Sequence, residues 1–166
     1  MLNNYYNVRS VRREDDWAVY TVSLNPDCEV YMGHFPGNPV SPGVCSIQMV
    51  LECAERECAV SGFGRELAVG EIRQCRFTAL VSPQTCPLLE VRVSVAWSDV
   101  PGAALGASSG QESGFAPGPF PEHGGRTAWL NASIVHDGTV CLSIKASVYI
   151  LQNPCREETV TVGCDR

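Results

Sequence analysis

Basic residues are scarce in this chain: 12 Lys and Arg stand against 18 Asp and Glu, a formal net charge of −6 and a pI near 5.0. A general nucleic-acid binder needs a basic face to neutralise phosphates, and this balance argues against one. Long apolar runs are lacking as well. None approaches the ~18 residues that span a bilayer. The opening MLNNYYNVRSVRREDDW carries no apolar stretch behind a basic start. No membrane association and no secretory leader are therefore expected, and the cytoplasm is the expected compartment. Without a leader, the Asn131-Ala-Ser133 sequon carries no meaning. Histidine is rare too, with only His34, His123 and His136.

Cysteine is plentiful, but its useful spacings are missing. Cys28, Cys45, Cys53, Cys58, Cys75, Cys86, Cys141, Cys155 and Cys164 contain no C-x-x-C pair and are odd in number. Neither a disulfide framework nor a metal site is expected; the thiols read as reduced, several serving as small core hydrophobes. With 166 residues, 45% hydrophobic and 18% charged, the chain has an ordinary globular composition and enough length for one domain with a real core.

Along the chain, Trp17–Leu24 alternates like a half-buried strand after a charged turn at Arg12–Asp16. Pro42-Gly43 then opens a segment over Val44–Val60 with apolar residues at three- and four-residue steps, ended by Gly62 and Gly64. Its first half is apolar almost all round, which predicts a helix wrapped by other structure. Strands are predicted over Glu66–Thr78, Leu88–Trp97, Thr127–Val135 and Val140–Leu151, with an Asp137-Gly138 hairpin turn joining the last two. Residues 98–126 break the pattern with Gly, Pro, Ser and Ala and read as an insertion between strands, so that His123 is expected to be a loop residue and His136 a turn residue. One apolar helix and a set of antiparallel strands predict an α+β fold, a single domain over 1–166 with a flexible insertion at about 98–126.

The densest feature is GHFPGNPVSPGV, residues 33–44, with three prolines and three glycines around His34. Prolines at 36, 39 and 42 restrict the backbone before folding, which suits a loop that must aim a side chain. The loop delivers the chain into a helix whose first amides lack partners and carry the positive dipole end. Gly43 has no side chain to hinder approach to its amide. A base that titrates near pH 7, an oxyanion hole and an apolar wall are the parts that acyl chemistry needs.

At His34-Phe35-Pro36-Gly37-Asn38-Pro39-Val40-Ser41-Pro42-Gly43-Val44 the chain resembles the 3-hydroxyacyl-acyl-carrier-protein dehydratases, which have the hot-dog fold. Every fixed position of that family's motif is matched, and the similarity extends from about Trp17 to Leu151, with 98–126 as an addition. The resemblance implies one long central helix wrapped by an antiparallel sheet of about five to six strands. It implies His34 as the base that removes the C2 proton of a 3-hydroxyacyl thioester, and Gly43 as the amide that holds the thioester carbonyl. Phe35, Gly37, Pro42 and Val44 are implied to contact the substrate. It further implies a homodimer or dimer-based oligomer, an acyl-carrier-protein or acyl-CoA thioester as partner, a place in fatty acid or related lipid or polyketide synthesis, and no diffusible cofactor.

Beyond the motif the chain departs from the family's pattern at one position. Five residues after Gly43, where the family has the acid that handles the departing hydroxyl, stands Gln48. An amide keeps the reach of glutamate but neither gives nor takes a proton. Restoring a carboxylate there is expected to raise dehydration. Glu52, one turn on at about 5.4 Å, is too far for direct replacement; it reads as the solvated or paired end of the helix, or as acting through a water. Four readings stay open: a dehydratase in which His34 carries the proton transfers and Gln48 binds the hydroxyl, a hot-dog thioesterase, a non-catalytic acyl- or carrier-binding subunit, and a purely structural turn. Arg65, Arg73 and Arg76 are candidates for docking an acidic carrier protein, or ordinary exposed arginines.

Overall fold

A computed structural model describes residues 4–35, 37–62, 66–97 and 127–151. The insertion at 98–126, with His123, lies outside the described residues, as do Arg65, Cys155 and Cys164. In chain order the described elements are β1 (Tyr6–Glu14), β2 (Trp17–Leu24), α1 (Val30–Gly33), α2 (Gly43–Val60), β3 (Leu67–Phe77), β4 (Leu88–Trp97), β5 (Thr127–His136) and β6 (Thr139–Ile150). The strands form one six-stranded sheet in the order β1-β2-β4-β5-β6-β3, with every neighbour antiparallel. This is the expected α+β architecture: one sheet, one long helix.

The two-residue period of the strands sets which face is buried. Leu89, Val91 and Val93 of β4 and Ala128, Leu130, Ala132 and Ile134 of β5 all point into the core, while their sequence neighbours stay half-exposed. Against this face α2 lays Cys45, Met49, Val50, Cys53 and Ala54. Burying a Leu, Ile or Val side chain is worth about 1.5–3 kcal/mol, so this layer dominates the stability. Cys28, Cys86 and Cys141 are buried too, and the seven described cysteines are free thiols. Burial pushes the Cys58 thiol up to about 11 and the Cys53 thiol up to about 12.

One local expectation needs correction. Arg12, Arg13 and Glu14 belong to strand β1 rather than to a turn; only Asp15 and Asp16 turn the chain, with Asp15 at φ +51°. The charges suit the solvent face of an edge strand, where Arg12 pairs with Glu14 and Glu90 at 2.8 Å each and Arg92 pairs with Glu14. Exposed pairs of this kind contribute about 0–1 kcal/mol each, too little to read from sequence. α2 packs against the sheet as expected, with residues near its two ends left open, Val44 75% and Val60 74% exposed. The short helix α1 precedes the proline-rich run and takes in its first residue, Gly33.

The Asp137-Gly138 turn is as expected. Both residues have positive φ, +46° and +76°, the combination a two-residue hairpin of type I′ requires. His136 stands beside it at the end of β5, its Nδ1 3.0 Å from the Leu88 carbonyl oxygen.

Candidate active site

The proline-rich loop is closed at its neck by two buried residues. Tyr31 of α1 stacks on Tyr5, ring centroids 5.7 Å apart, and its hydroxyl lies 3.1 Å from the Ser41 hydroxyl. The Ser41 amide donates to the Val81 carbonyl at 2.7 Å, which ties the neck to the segment between β3 and β4. Within the loop the Asn38 amide donates to the Phe35 carbonyl at 3.0 Å, and Gly37 has φ +86°. Glycine adopts such a positive φ without strain.

His34 is held by that loop rather than free on it. Its Nδ1 lies 2.8 Å from the Val40 carbonyl oxygen. A carbonyl only accepts, so Nδ1 carries a proton, and in the neutral tautomer that this selects, the lone pair lies on Nε2. Phe35 packs edge-on against the His34 ring, centroids 4.7 Å apart, and is 62% exposed. It also sits at φ +57°, where a bulky residue is rare and strained; such strain gathers at sites that need a fixed geometry.

Three residues beyond Val40, α2 begins. Its N-cap is Pro42, which gives no side-chain cap, and its first turn holds no acidic residue. The Cys45 and Ser46 amides turn back to the Pro42 carbonyl at 3.0 and 3.1 Å. That leaves the amides of Gly43 and Val44 as the first-turn donors with no partner inside the helix, at its positive dipole end. The space beside Gly43 is occupied by the ring of Phe77, at the end of β3. A Cβ on Gly43 would stand 2.9 Å from Phe77 Cζ. Glycine lets the ring come this close without displacement, and a ligand reaching the Gly43 amide would meet Phe77, which is 53% exposed. Phe77 belongs to the site and was not singled out in sequence; an aromatic left exposed at a strand end was its only signal.

Gln48 lies five residues into α2, about 7.5 Å along the axis from Gly43 at 1.5 Å per residue. Its Nε2 donates to Glu52 Oε1 at 3.3 Å, and the Tyr6 hydroxyl donates to Glu52 Oε2 at 2.9 Å. Glu52 is thus neither the end of the helix nor solvated: it is buried mid-helix and paired. Burial, with the charged neighbour, raises the Tyr6 hydroxyl pKa, so it stays a donor at any ordinary pH.

Within this one chain Pro42, Gly43 and Val44 form the start of α2, and His34, Phe35 and Gly37 stand on the loop that leads into it. Among the described residues no hydrogen bond joins Gln48 to His34. Of the docking candidates, Arg73 lies 4.2 Å over the Trp129 ring and 3.5 Å from Glu71, and Arg76 is exposed on β3.

The sequence was compared with known proteins. A family model described as ApeI-like, ApeI dehydratase, matches residues 10–100, more than half of the chain. The chain belongs to the ApeI-like dehydratase family. That stretch runs from within β1 to the end of β4 and takes in the loop of His34 and the whole of α2. The fold is likewise that of a solved dehydratase, "The Dehydratase Heterocomplex ApeI:P from Xenorhabdus doucetiae", at 16% identity and a TM-score of 0.54, covering 87% of this chain and 97% of that one. No curated protein matches the sequence. Among the described residues no helix is long and apolar enough to cross a membrane.

Proposed function

We propose that the protein dehydrates a 3-hydroxyacyl thioester to the 2-enoyl thioester. The observation that carries this reading is the His34–Val40 hydrogen bond, which leaves Nε2 of a neutral imidazole as the base, in a chain of a dehydratase family. The Gly43 amide binds the thioester carbonyl oxygen and stabilises the negative charge that grows there as the C2–H bond breaks. The C2 proton passes to His34 Nε2. As the C3–O bond breaks, the same proton passes to the departing hydroxyl, and water leaves. Gln48 binds that hydroxyl and changes no protonation state. The substrate is carried on an acyl-carrier protein or coenzyme A, in fatty acid or related lipid or polyketide synthesis, and Phe35, Gly37, Pro42 and Val44 line its approach.

The working unit in this reading is a dimer, in which Gln48 of one subunit faces His34 of the other. Support comes from β3, an edge strand of eleven residues whose middle is exposed, and from the exposed Val44 and Phe77 beside it. The similar solved structure is itself a heterocomplex, which supports use with a partner.

The test is to incubate the purified protein with a 3-hydroxyacyl thioester and to follow conjugated enoyl product and free thiol separately. Enoyl formation that is lost in His34→Ala is expected. Thiol release alone would instead identify a thioesterase in which Gln48 orients the attacking water, and neither signal would point to a non-catalytic subunit.

A further inference from the structure

We propose that Glu52, held by Tyr6, is a positioning residue that fixes the sense of the Gln48 amide, so that Gln48 meets the substrate as a hydrogen-bond acceptor. The inference rests on the dehydratase reading for its substrate and on geometry for the rest.

A glutamine side chain has a donor arm and an acceptor arm on one plane, nearly equal in size, and nothing in its shape decides which arm points where. Here the decision is electrostatic. Glu52 is a carboxylate only 7% exposed, and each of its oxygens accepts a hydrogen bond: Oε2 from the Tyr6 hydroxyl at 2.9 Å, Oε1 from Gln48 Nε2 at 3.3 Å. A carboxylate attracts the N–H arm and repels the carbonyl arm, so Nε2 turns to Glu52 and Oε1 takes the opposite arm of the amide. Tyr6 prevents the reverse arrangement. Its hydroxyl occupies the second oxygen as a donor from β1, so Glu52 is oriented from outside its own helix.

Packing does not call for this arrangement. An apolar residue at position 52 would serve the helix–sheet interface at least as well, because a buried carboxylate costs several kcal/mol before its hydrogen bonds are counted. The polar trio is better explained by what it does to Gln48. An acceptor at that position receives the proton of a 3-hydroxyl and turns the oxygen's lone pairs away from Oε1, toward the proton arriving from His34. It disfavours a 3-oxo group, which offers only acceptors, since two acceptors facing one another leave both unpaired. The Tyr6–Glu52–Gln48 chain would therefore select the hydroxyl-bearing substrate over its oxidised precursor while taking no part in the proton balance.

The test compares the wild type with Glu52→Gln and Tyr6→Phe. Glu52→Gln keeps the shape but lets both amides flip. Its kcat for enoyl formation should fall about ten-fold with KM within about two-fold, the pattern of an interaction realised in the transition state. The preference for a 3-hydroxyacyl over a 3-oxoacyl analogue, read as competing inhibitors, should drop by about ten-fold, the scale of one unpaired polar contact. Tyr6→Phe should move both quantities in the same direction by less, and serves should Glu52→Gln fold poorly. Unchanged preference in both variants overturns the proposal. A second readout needs no turnover: the side-chain amide protons of Gln48, assigned in nitrogen-15 NMR spectra by their loss in Gln48→Ala, should be widely separated in the wild type and converge in Glu52→Gln. Equal spectra overturn the fixed amide. A wild type that makes no enoyl product but shows the separated protons supports the fixed amide and sinks the dehydratase reading alone.

Discussion

His34 donates its Nδ1 proton to the carbonyl oxygen of Val40, 2.8 Å away and six residues further along the same loop. The contact sets the tautomer and aims the ring in one step. It also links the histidine to the backbone just ahead of α2, so the proposed base and the proposed oxyanion donor are positioned by the same short piece of chain.

His34→Asn therefore separates aiming from chemistry. The amide can still donate toward Val40, but it has no basic nitrogen. Enoyl formation should fall by about 10²–10⁴-fold, the usual worth of a positioned acid–base group. The half-buried site should leave the melting temperature essentially unchanged. A variant that retains most of its activity would remove His34 from the mechanism.

At Gly43→Ala the added methyl would lie 2.9 Å from Phe77 Cζ. The atom in the way is the far end of an exposed ring, which can swing aside, so the stability change should stay within about 1 kcal/mol. Activity should fall at least ten-fold, because the methyl and the displaced ring both crowd the amide that holds the developing oxyanion. Circular-dichroism melts and turnover measured on the same preparation check the two halves.

Gln48→Glu alone is expected to disappoint as a repair. The new carboxylate would stand where Nε2 now meets Glu52 Oε1 at 3.3 Å. Two carboxylates so close share a proton, and the pair's upper pKa rises above the ordinary range. The unfolded chain releases that proton first, so relative to wild type the variant loses stability as pH rises from about 4 to 7. Pairing it with Glu52→Gln removes the repulsion, and the double variant should recover stability and dehydrate faster than Gln48→Glu. Urea melts at pH 4.5 and pH 7 would reveal a flat difference if the two side chains do not meet.

Val44 tests the proposed dimer. A 75% exposed valine in the first turn of the central helix is costly to leave in water unless a partner covers it. Val44→Asp should shift the protein toward monomer in sedimentation equilibrium and reduce activity, with far-UV circular dichroism intact. Unaltered association would place the dimer contact elsewhere.

Alkaline stability follows from the buried thiols. Burial raises the Cys53 thiol to about 12, whereas in the unfolded chain it ionises near its ordinary value of about 8.5. Between those two values the unfolded state sheds the proton and the folded state keeps it, so stability falls as pH rises, by up to about 1.4 kcal/mol per unit for this thiol. Cys53→Ala should flatten the slope of melting temperature against pH above about 8.5. An equal slope in the variant would assign the alkaline loss to other groups.

What sequence alone could reach here followed from local chemistry. The alternation of Leu88–Trp97 sets a strand wherever it folds, Asp137-Gly138 sets the hairpin because both positions need positive φ, and the three- and four-residue steps after Pro42 set the helix. Motif spacing placed His34, Gly43 and Gln48 on that scaffold for the same reason: each depends on neighbours within a turn or a loop. The readings that failed depended on distant partners. Arg12 and Glu14 look like turn residues until β4 brings Glu90 and Arg92 alongside. Glu52 looks like the end of a helix until Tyr6, 46 residues away, buries and binds it.

The sequence by itself determined a stiff loop, a histidine on it and an uncapped helix start, because proline, glycine and helix periodicity act within a few residues. Only the tertiary structure decided that His34 Nδ1 donates to the Val40 carbonyl, that Phe77 fills the space at Gly43, and that Tyr6 holds the Glu52 carboxylate that Gln48 meets. Spacing brings His34 near Val40 and Gln48 near Glu52, but each contact is made over about 3 Å, and those of Phe77 and Tyr6 join segments far apart in the chain.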